Sequence, residues 1–220
     1  MISRLGVLGG MFDPVHNGHV EAAQFACKLL EFDLVKMIPC HIPNHRNSAV
    51  SDKDHRLNML RLAIDSDARL EADDVELKKN EVSYSIETLR TLREQKIAHS
   101  IVLILGMDSF NTLTKWFEWK ELFSLCSFCV LARAGLQIDG NVYEEVGVHK
   151  RLAQNAADFY QDKVGKIIIA ENFKHDISST EIRSKLNAKE NMQNNLDSKV
   201  YSYIHKYELY KNNLENNFGK

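Results

Sequence analysis

Residues 9 to 20 read GGMFDPVHNGHV, a stretch in which His16 and His19 stand three apart across a glycine. Imidazoles at the mouth of a helix can donate hydrogen bonds to phosphate oxygens, and the unpaired N–H groups and dipole of the helix N-terminus favour the same anion. Gly9 and Gly10 would let the backbone turn tightly and approach a ligand closely; Pro14 stiffens the loop, and Gly18 admits another close approach. The spacing is not GxGxxG, and no Lys-Ser/Thr pair follows as in a P-loop, so neither of those phosphate fingerprints applies. Two rivals compete for the histidines. A shared zinc would want the HExxH glutamate or an obvious third ligand, and the stretch has neither. A pair of ordinary surface histidines leaves the glycines unexplained.

Three further stretches carry groups suited to a nucleotide. IPCHIPNHR at 38–46 is either a stiff surface loop or, beside the first loop, the carrier of a phosphate clamp in Arg46. In ISSTEIRSKL at 177–186, Ser178 and Glu181 have capping-box spacing, while the hydroxyls of Ser179 and Thr180 and the guanidinium of Arg183 could hold a polyphosphate within one helical turn. LGMDSFNTLTKWFEWKEL at 105–122 puts Gly106 and Asp108 just beyond an apolar run, where a carboxylate can accept from ribose hydroxyls. Trp116, Phe117 and Trp119 offer flat rings for a base or a pyridine, with core packing as the alternative, stronger for Trp119 than for Trp116.

These groups need a scaffold that brings them to one place. Short, nearly continuous apolar runs at 5–8, 34–38, 101–105, 128–132 and 166–170 suit strands covered on both faces, hence a parallel sheet. Between them, residues 19–31 align Val20, Ala23, Cys27 and Leu30, residues 52–64 align Leu57, Leu60 and Ile64, and residues 84–95 align Ile86, Leu89 and Leu92. The alternation predicts an α/β, doubly wound sheet whose ligands sit beyond the strand carboxyl ends. Residues 135–160 read as a loop followed by a helix, 187–199 as a solvated connection, and 200–210 as a terminal helix before a polar tail at 211–220.

With 220 residues the chain can bury one substantial core, and a single domain over 1–210 is expected. A formal charge of −2 gives no electrostatic footprint for nucleic acid, and no run approaches the length of a membrane span, so a cytoplasmic protein without a membrane partner is expected. Four cysteines show no paired metal spacing; Cys126 and Cys129 would point to opposite faces of a strand as buried thiols, and no metal site is expected on the protein itself. Homo-oligomerisation is compatible with the sequence.

Taken together, GGMFDPVHNGH, IPCHIPNHR, SYSIETL at 83–89, LGMDSF with WFEW, LARAG at 131–135 and ISSTEIR resemble the bacterial nicotinate-nucleotide adenylyltransferases, within the HxGH nucleotidyltransferase superfamily. The resemblance runs from Gly9 to about Tyr210. It implies a Rossmann-like nucleotidyltransferase fold and the reaction of nicotinate mononucleotide with ATP and Mg²⁺ to give deamido-NAD and pyrophosphate. It also implies catalytic roles for His16, His19 and Arg183. By the same resemblance ATP meets Gly9, Gly10, Met11, Phe12, His16, His19, Arg46, Gly106, Asp108, Arg133, Ser178, Ser179, Thr180 and Arg183. Nicotinate mononucleotide meets Ser85, Trp116, Phe117 and Asp108. Two positions depart from the family pattern: Met11 stands where Thr or Ser is usual, and Asn44 replaces the second proline of a PPH pattern. Rival functions are the same chemistry on the amide or on phosphopantetheine, a class I aminoacyl-tRNA synthetase fragment, a nucleotide sensor without turnover, and a zinc-binding protein.

Overall fold

The computed structural model describes residues 2–43, 49–79, 81–133, 135–173 and 177–211. In chain order the first half contains β1 (Ile2–Gly10), α1 (Asn17–Leu30), β2 (Leu34–Pro39), β3 (Ile42–Pro43), α2 (Lys53–Ile64), β4 (Leu70–Ala72), β5 (Val82–Ser83) and α3 (Ser85–Glu94). The second half contains β6 (Ala98–Gly106), α4 (Met107–Phe110), α5 (Trp119–Leu125), β7 (Ser127–Leu131), α6 (Gly140–Val146), α7 (Val148–Arg151), α8 (Ala156–Phe159), β8 (Ile167–Ala170), α9 (Ser179–Asn187) and α10 (Ser198–Lys206).

All five apolar runs become strands of one sheet, ordered β4-β2-β1-β6-β7-β8 and parallel throughout. The sheet grows outward in both directions from β1 and β6, as expected of a doubly wound fold. The crevice between their carboxyl ends is the topological switch point where such sheets bind ligands. Helices cover both faces. On one side Val102, Ile104 and Cys129 pack with Ala23, Cys27 and Leu30 of α1, Leu60 and Ile64 of α2, and Val200 and Ile204 of α10. On the other, Leu103, Leu105, Phe128 and Val130 pack with Ile86, Leu89 and Leu92 of α3 and Leu122 of α5. Cys126 and Cys129 fall in these opposite layers, and burial pushes each thiol up to about 12, which keeps them protonated and unreactive. At Gly6 a Cβ would lie 2.8 Å from the Phe32 ring, so only glycine lets that ring lie against β1.

Several elements differ from expectation. The edge strand β4 has no apolar run of its own; it is fastened by Lys36 on β2, which donates to Glu71 at 2.7 Å and to Asp73 at 2.6 Å. The two-residue strands β3 and β5 pair in parallel, drawing the chain after β2 towards the start of α3. Residues 140–159 form three short helices rather than one, separated at Gly147, whose φ of 66° ends α6, and at Asn155, whose side chain caps α8. The stretch 187–199 is not simply solvated. Met192 and Leu196 are buried, and the Asn195 and Asn194 carbonyls accept from Asn17 at the start of α1, at 3.0 and 3.2 Å. Val20, assigned to the buried stripe of α1, is only half-buried, and Ala22 and Ala26 take that place. Among the described residues no helix is long and apolar enough to cross a membrane.

Candidate active site

β1 runs out at Gly10, and the next six residues carry the chain over the sheet edge into α1. The turn is made by Phe12, with φ of 49° and a fully buried ring, so the tight turn expected of Gly9 and Gly10 falls two residues later. Gly9 serves the other purpose: a Cβ there would meet nothing within 4 Å, because the position faces open space in the cleft. At Gly10 a Cβ would come within 3.2 Å of the Phe12 ring. His16 is the N-cap residue of α1 and His19 its third helical residue; their rings lie 3.7 Å apart, tilted by 33°. The His16 N–H donates to Nδ1 of His19 at 3.3 Å, which assigns the proton of a neutral His19 imidazole to Nε2. Phe12 packs edge-on against His19 at 5.0 Å and fixes the ring from the other side. No acidic residue occupies the first turn of α1, so the dipole end there remains attractive to anions.

α9 closes the same loop from above. Ser178 caps it, its Oγ accepting from Glu181 N–H at 3.2 Å; the Glu181 carboxylate turns to Lys185, so only half of the expected capping box forms. Ser179 Oγ donates to the Pro14 carbonyl at 3.0 Å, and Arg183 donates to the Asp13 carbonyl at 2.6 Å and to Thr180 Oγ1 at 3.2 Å. These side chains therefore build the loop as well as line the cleft. Asp13, only 1% exposed, holds the loop from below: its carboxylate accepts from the N–H groups of Val50 at 2.6 Å and Ser51 at 3.2 Å, and from the Tyr210 hydroxyl at 2.7 Å. Burial, with the Asp13 carboxylate beside it, raises the Tyr210 phenol well above its ordinary range, so it stays a donor.

Across the switch point, Gly106 caps α4 at the end of β6, and Asp108 in that helix pairs with Arg133 beyond β7 at 2.8 Å. Both side chains are about half exposed, so this pair is open to exchange for ligand hydroxyls and rings. The aromatic wall starts at Ser85, the first residue of α3, and includes Trp116 and the exposed Phe117, whose ring lies 4.9 Å from Tyr84. Trp119 is not part of it; the ring packs edge-on against Phe123 on the protein side. Arg90 on α3 binds Glu118 at 2.6 Å and Glu121 at 2.5 Å, which ties the wall to α3.

A single cleft of about 960 Å³ brings together every expected ATP and acceptor residue except Arg46. Arg46 and Asn44 lie outside the described residues. Four contributors had no signal in the spacing of the sequence. Asp13 and Tyr210 sit 197 positions apart, and Arg56 reads as one more charge on an amphipathic helix. Glu76, in a polar stretch, lines the cleft at 9% exposure and accepts from Thr88 Oγ1 at 2.6 Å; burial raises its carboxyl above the usual range. Among the described residues no three His, Cys, Asp or Glu side chains gather as a metal cage.

Comparison with known proteins agrees with this geometry. The cytidylyltransferase-like family profile matches residues 7–185. A protein of Pseudoalteromonas atlantica named a probable nicotinate-nucleotide adenylyltransferase is 39% identical over 208 residues, covering 94% of each chain. One of the same name from Shewanella sediminis is 36% identical, over 94% of this chain and 98% of its own. The fold matches the Plasmodium falciparum nicotinic acid mononucleotide adenylyltransferase complexed with NaAD, with a TM-score of 0.74, 20% identity, and 94% and 97% of the two chains covered. Its sheet order, its HxGH helix start and its near-full-length relatives place this chain in the nicotinate-nucleotide adenylyltransferase family, within the cytidylyltransferase-like proteins.

Proposed function

We propose that the cleft transfers the adenylyl group of ATP to nicotinate mononucleotide, giving deamido-NAD and pyrophosphate. The observation that carries this assignment is the convergence, at one switch point, of the stacked His16–His19 pair on a helix N-terminus with an aromatic wall at Ser85, Trp116 and Phe117. The first end suits a polyphosphate and the second a planar pyridine ring. Asp108 and Arg133 stand between them, suited to a ribose and an adenine edge.

The chemistry requires no side-chain nucleophile. A phosphate monoester is largely dianionic at neutral pH, since its second pKa lies near about 6, so it needs no general base. An oxygen of the acceptor phosphate attacks the ATP α-phosphorus, the bond from that phosphorus to the bridging oxygen breaks, and pyrophosphate departs with the electron pair. The protein's task is to hold two anions in line and to stabilise the charge that builds on the α-phosphate and the leaving group. His19 donates through Nε2, His16 and the α1 N–H groups lie beside it, and Arg183 and Thr180 cover the polyphosphate from α9. Mg²⁺ supplies charge neutralisation to the polyphosphate and, in this reading, arrives with ATP on phosphate oxygens and water, as is usual for this ion. The Asp13 carboxylate is already engaged by three donors.

The test is pyrophosphate release from ATP and Mg²⁺ with nicotinate mononucleotide or its amide as acceptor, run in parallel. Release strongly favouring the acid is expected. Equal rates would retain the chemistry and withdraw the acceptor, and ATP binding without release from either would favour a sensor.

A further inference from the structure

Arg56 lies on α2, away from the cleft surface, and is only 1% exposed. One guanidinium nitrogen donates to two backbone carbonyls, Met11 O and Cys40 O, both at 2.8 Å. Nε donates to no group, and the side chain forms no ion pair, among the described residues. The five residues 44–48 that follow Pro43 are Asn, His, Arg, Asn and Ser, so that stretch supplies no acid either. A guanidinium stays charged at any physiological pH, and a buried charge ordinarily carries a partner of opposite sign. Here the two nearest groups are carbonyl dipoles of the loops that border the phosphate end of the cleft.

Those two bonds also fix peptide orientation. In a trans peptide the C=O and the following N–H point to opposite edges, so holding the Met11 carbonyl sets the direction of the Phe12 N–H in the HxGH loop. The same relation is visible at the second loop: with the Cys40 carbonyl on Arg56, the His41 N–H on the opposite edge donates to Ser83 Oγ at 2.9 Å, next to the acceptor wall. One buried cation therefore ties the loop after β1 to the loop after β2, and through it to β5. Met11 offers no hydroxyl to a phosphate, which leaves loop geometry and charge to do that work.

We infer that Arg56 is a positioning residue for adenylyl transfer, orienting both loops and leaving its charge to be balanced by the polyphosphate of the bound nucleotide. The inference rests on the ATP assignment for the cleft but not on the identity of the acceptor. Its test compares Arg56→Lys, which keeps the charge and loses the planar guanidinium, with Arg56→Gln, which keeps a neutral donor. The primary readout is the Mg-ATP concentration giving half of the rise in melting temperature, without acceptor; KM for ATP and kcat are measured alongside. Arg56→Lys is expected to bind ATP about tenfold tighter than Arg56→Gln, with the rise in KM for ATP exceeding the fall in kcat. A purely structural staple would lower the melting temperature of the unliganded protein in both variants and leave their ATP midpoints alike, which overturns the inference. Should Arg56→Gln not fold, Arg56→Met replaces it as the neutral variant: an ATP midpoint at least about tenfold weaker than that of Arg56→Lys supports the charge role, and alike midpoints overturn it. Charge-dependent ATP stabilisation without turnover of nicotinate mononucleotide would leave Arg56 in this role and remove only the acceptor assignment.

Discussion

His19 shows how a single residue acquires a role from its neighbours. Its Nδ1 accepts from the His16 backbone, Phe12 packs on its edge and the His16 ring stacks on its face, so the imidazole is held in one orientation before any ligand arrives. A donor preorganised in this way is worth about 3 kcal/mol in the transition state, or roughly a hundredfold or more in turnover. His19→Ala is accordingly expected to lower kcat by about a hundredfold or more, with a fall in melting temperature no larger than the loss of one helix-start hydrogen bond, about 1 kcal/mol, would cause. Turnover within about threefold of the parent, measured as pyrophosphate release, would remove the hydrogen-bonding role. At this scale the sequence was informative where chemistry is local: His16, His19, Ser179 and Arg183 are read from short spacings on helix starts. Asp13 and Arg56 could not be read that way, because their meaning comes from carbonyl and N–H partners that only the folded chain supplies.

Among the elements, legibility followed the strength of hydrophobic patterning. Five strands follow continuous apolar runs and helices α1, α2 and α3 follow periodic apolar residues, and their placement followed from these patterns. β4 is held by ions and three residues long, β3 and β5 have two residues each, and the burial of Met192 and Leu196 depends on a surface far along the chain. Glu76 belongs to this less legible set. It sits between β4 and β5 and accepts from Thr88 of α3, which anchors the helix whose start forms the acceptor wall. Burial is the main cause that raises its carboxyl above the ordinary 4.5, outweighing its hydroxyl donors and Lys79. The protonated acid is thus favoured by folding: its contribution is fully present below about pH 4.5 and is lost as pH rises through the raised folded value. Glu76→Gln, neutral at every pH and still able to accept from Thr88, is expected to gain stability relative to the parent as pH rises over that window. Urea midpoints of both proteins across about pH 4 to 8 test this, and a difference that does not change with pH would show that folding leaves the Glu76 carboxyl unshifted.

For the whole molecule, a net charge of −2 means that the attraction for a polyphosphate which the proposed function requires has to be built locally, in this reading from α1, α9 and Arg56, rather than from the overall field. That local arrangement is completed by the far end of the chain. After α10 packs on α2, the turn through Tyr210 returns to the HxGH loop, and the phenol donates to the Asp13 carboxylate beneath it. Asp13 in turn keeps the loop in register with Val50 and Ser51, and its own carbonyl receives Arg183. The segment after α10 thus reaches the site through the Tyr210–Asp13 hydrogen bond. A hydrogen bond to a charged acceptor contributes about 1.5–3 kcal/mol, and its loss leaves a buried carboxylate with one donor fewer. Tyr210→Phe is therefore expected to lower the stability of the protein by about that amount and to raise KM for ATP more than it lowers kcat, because the loosened loop carries the phosphate-facing groups rather than the acceptor wall. Urea unfolding and ATP titration of pyrophosphate release measure the two effects. If stability falls while KM for ATP does not move, the chain end supports the fold alone, and the loop is held in place by Arg183 and Ser179.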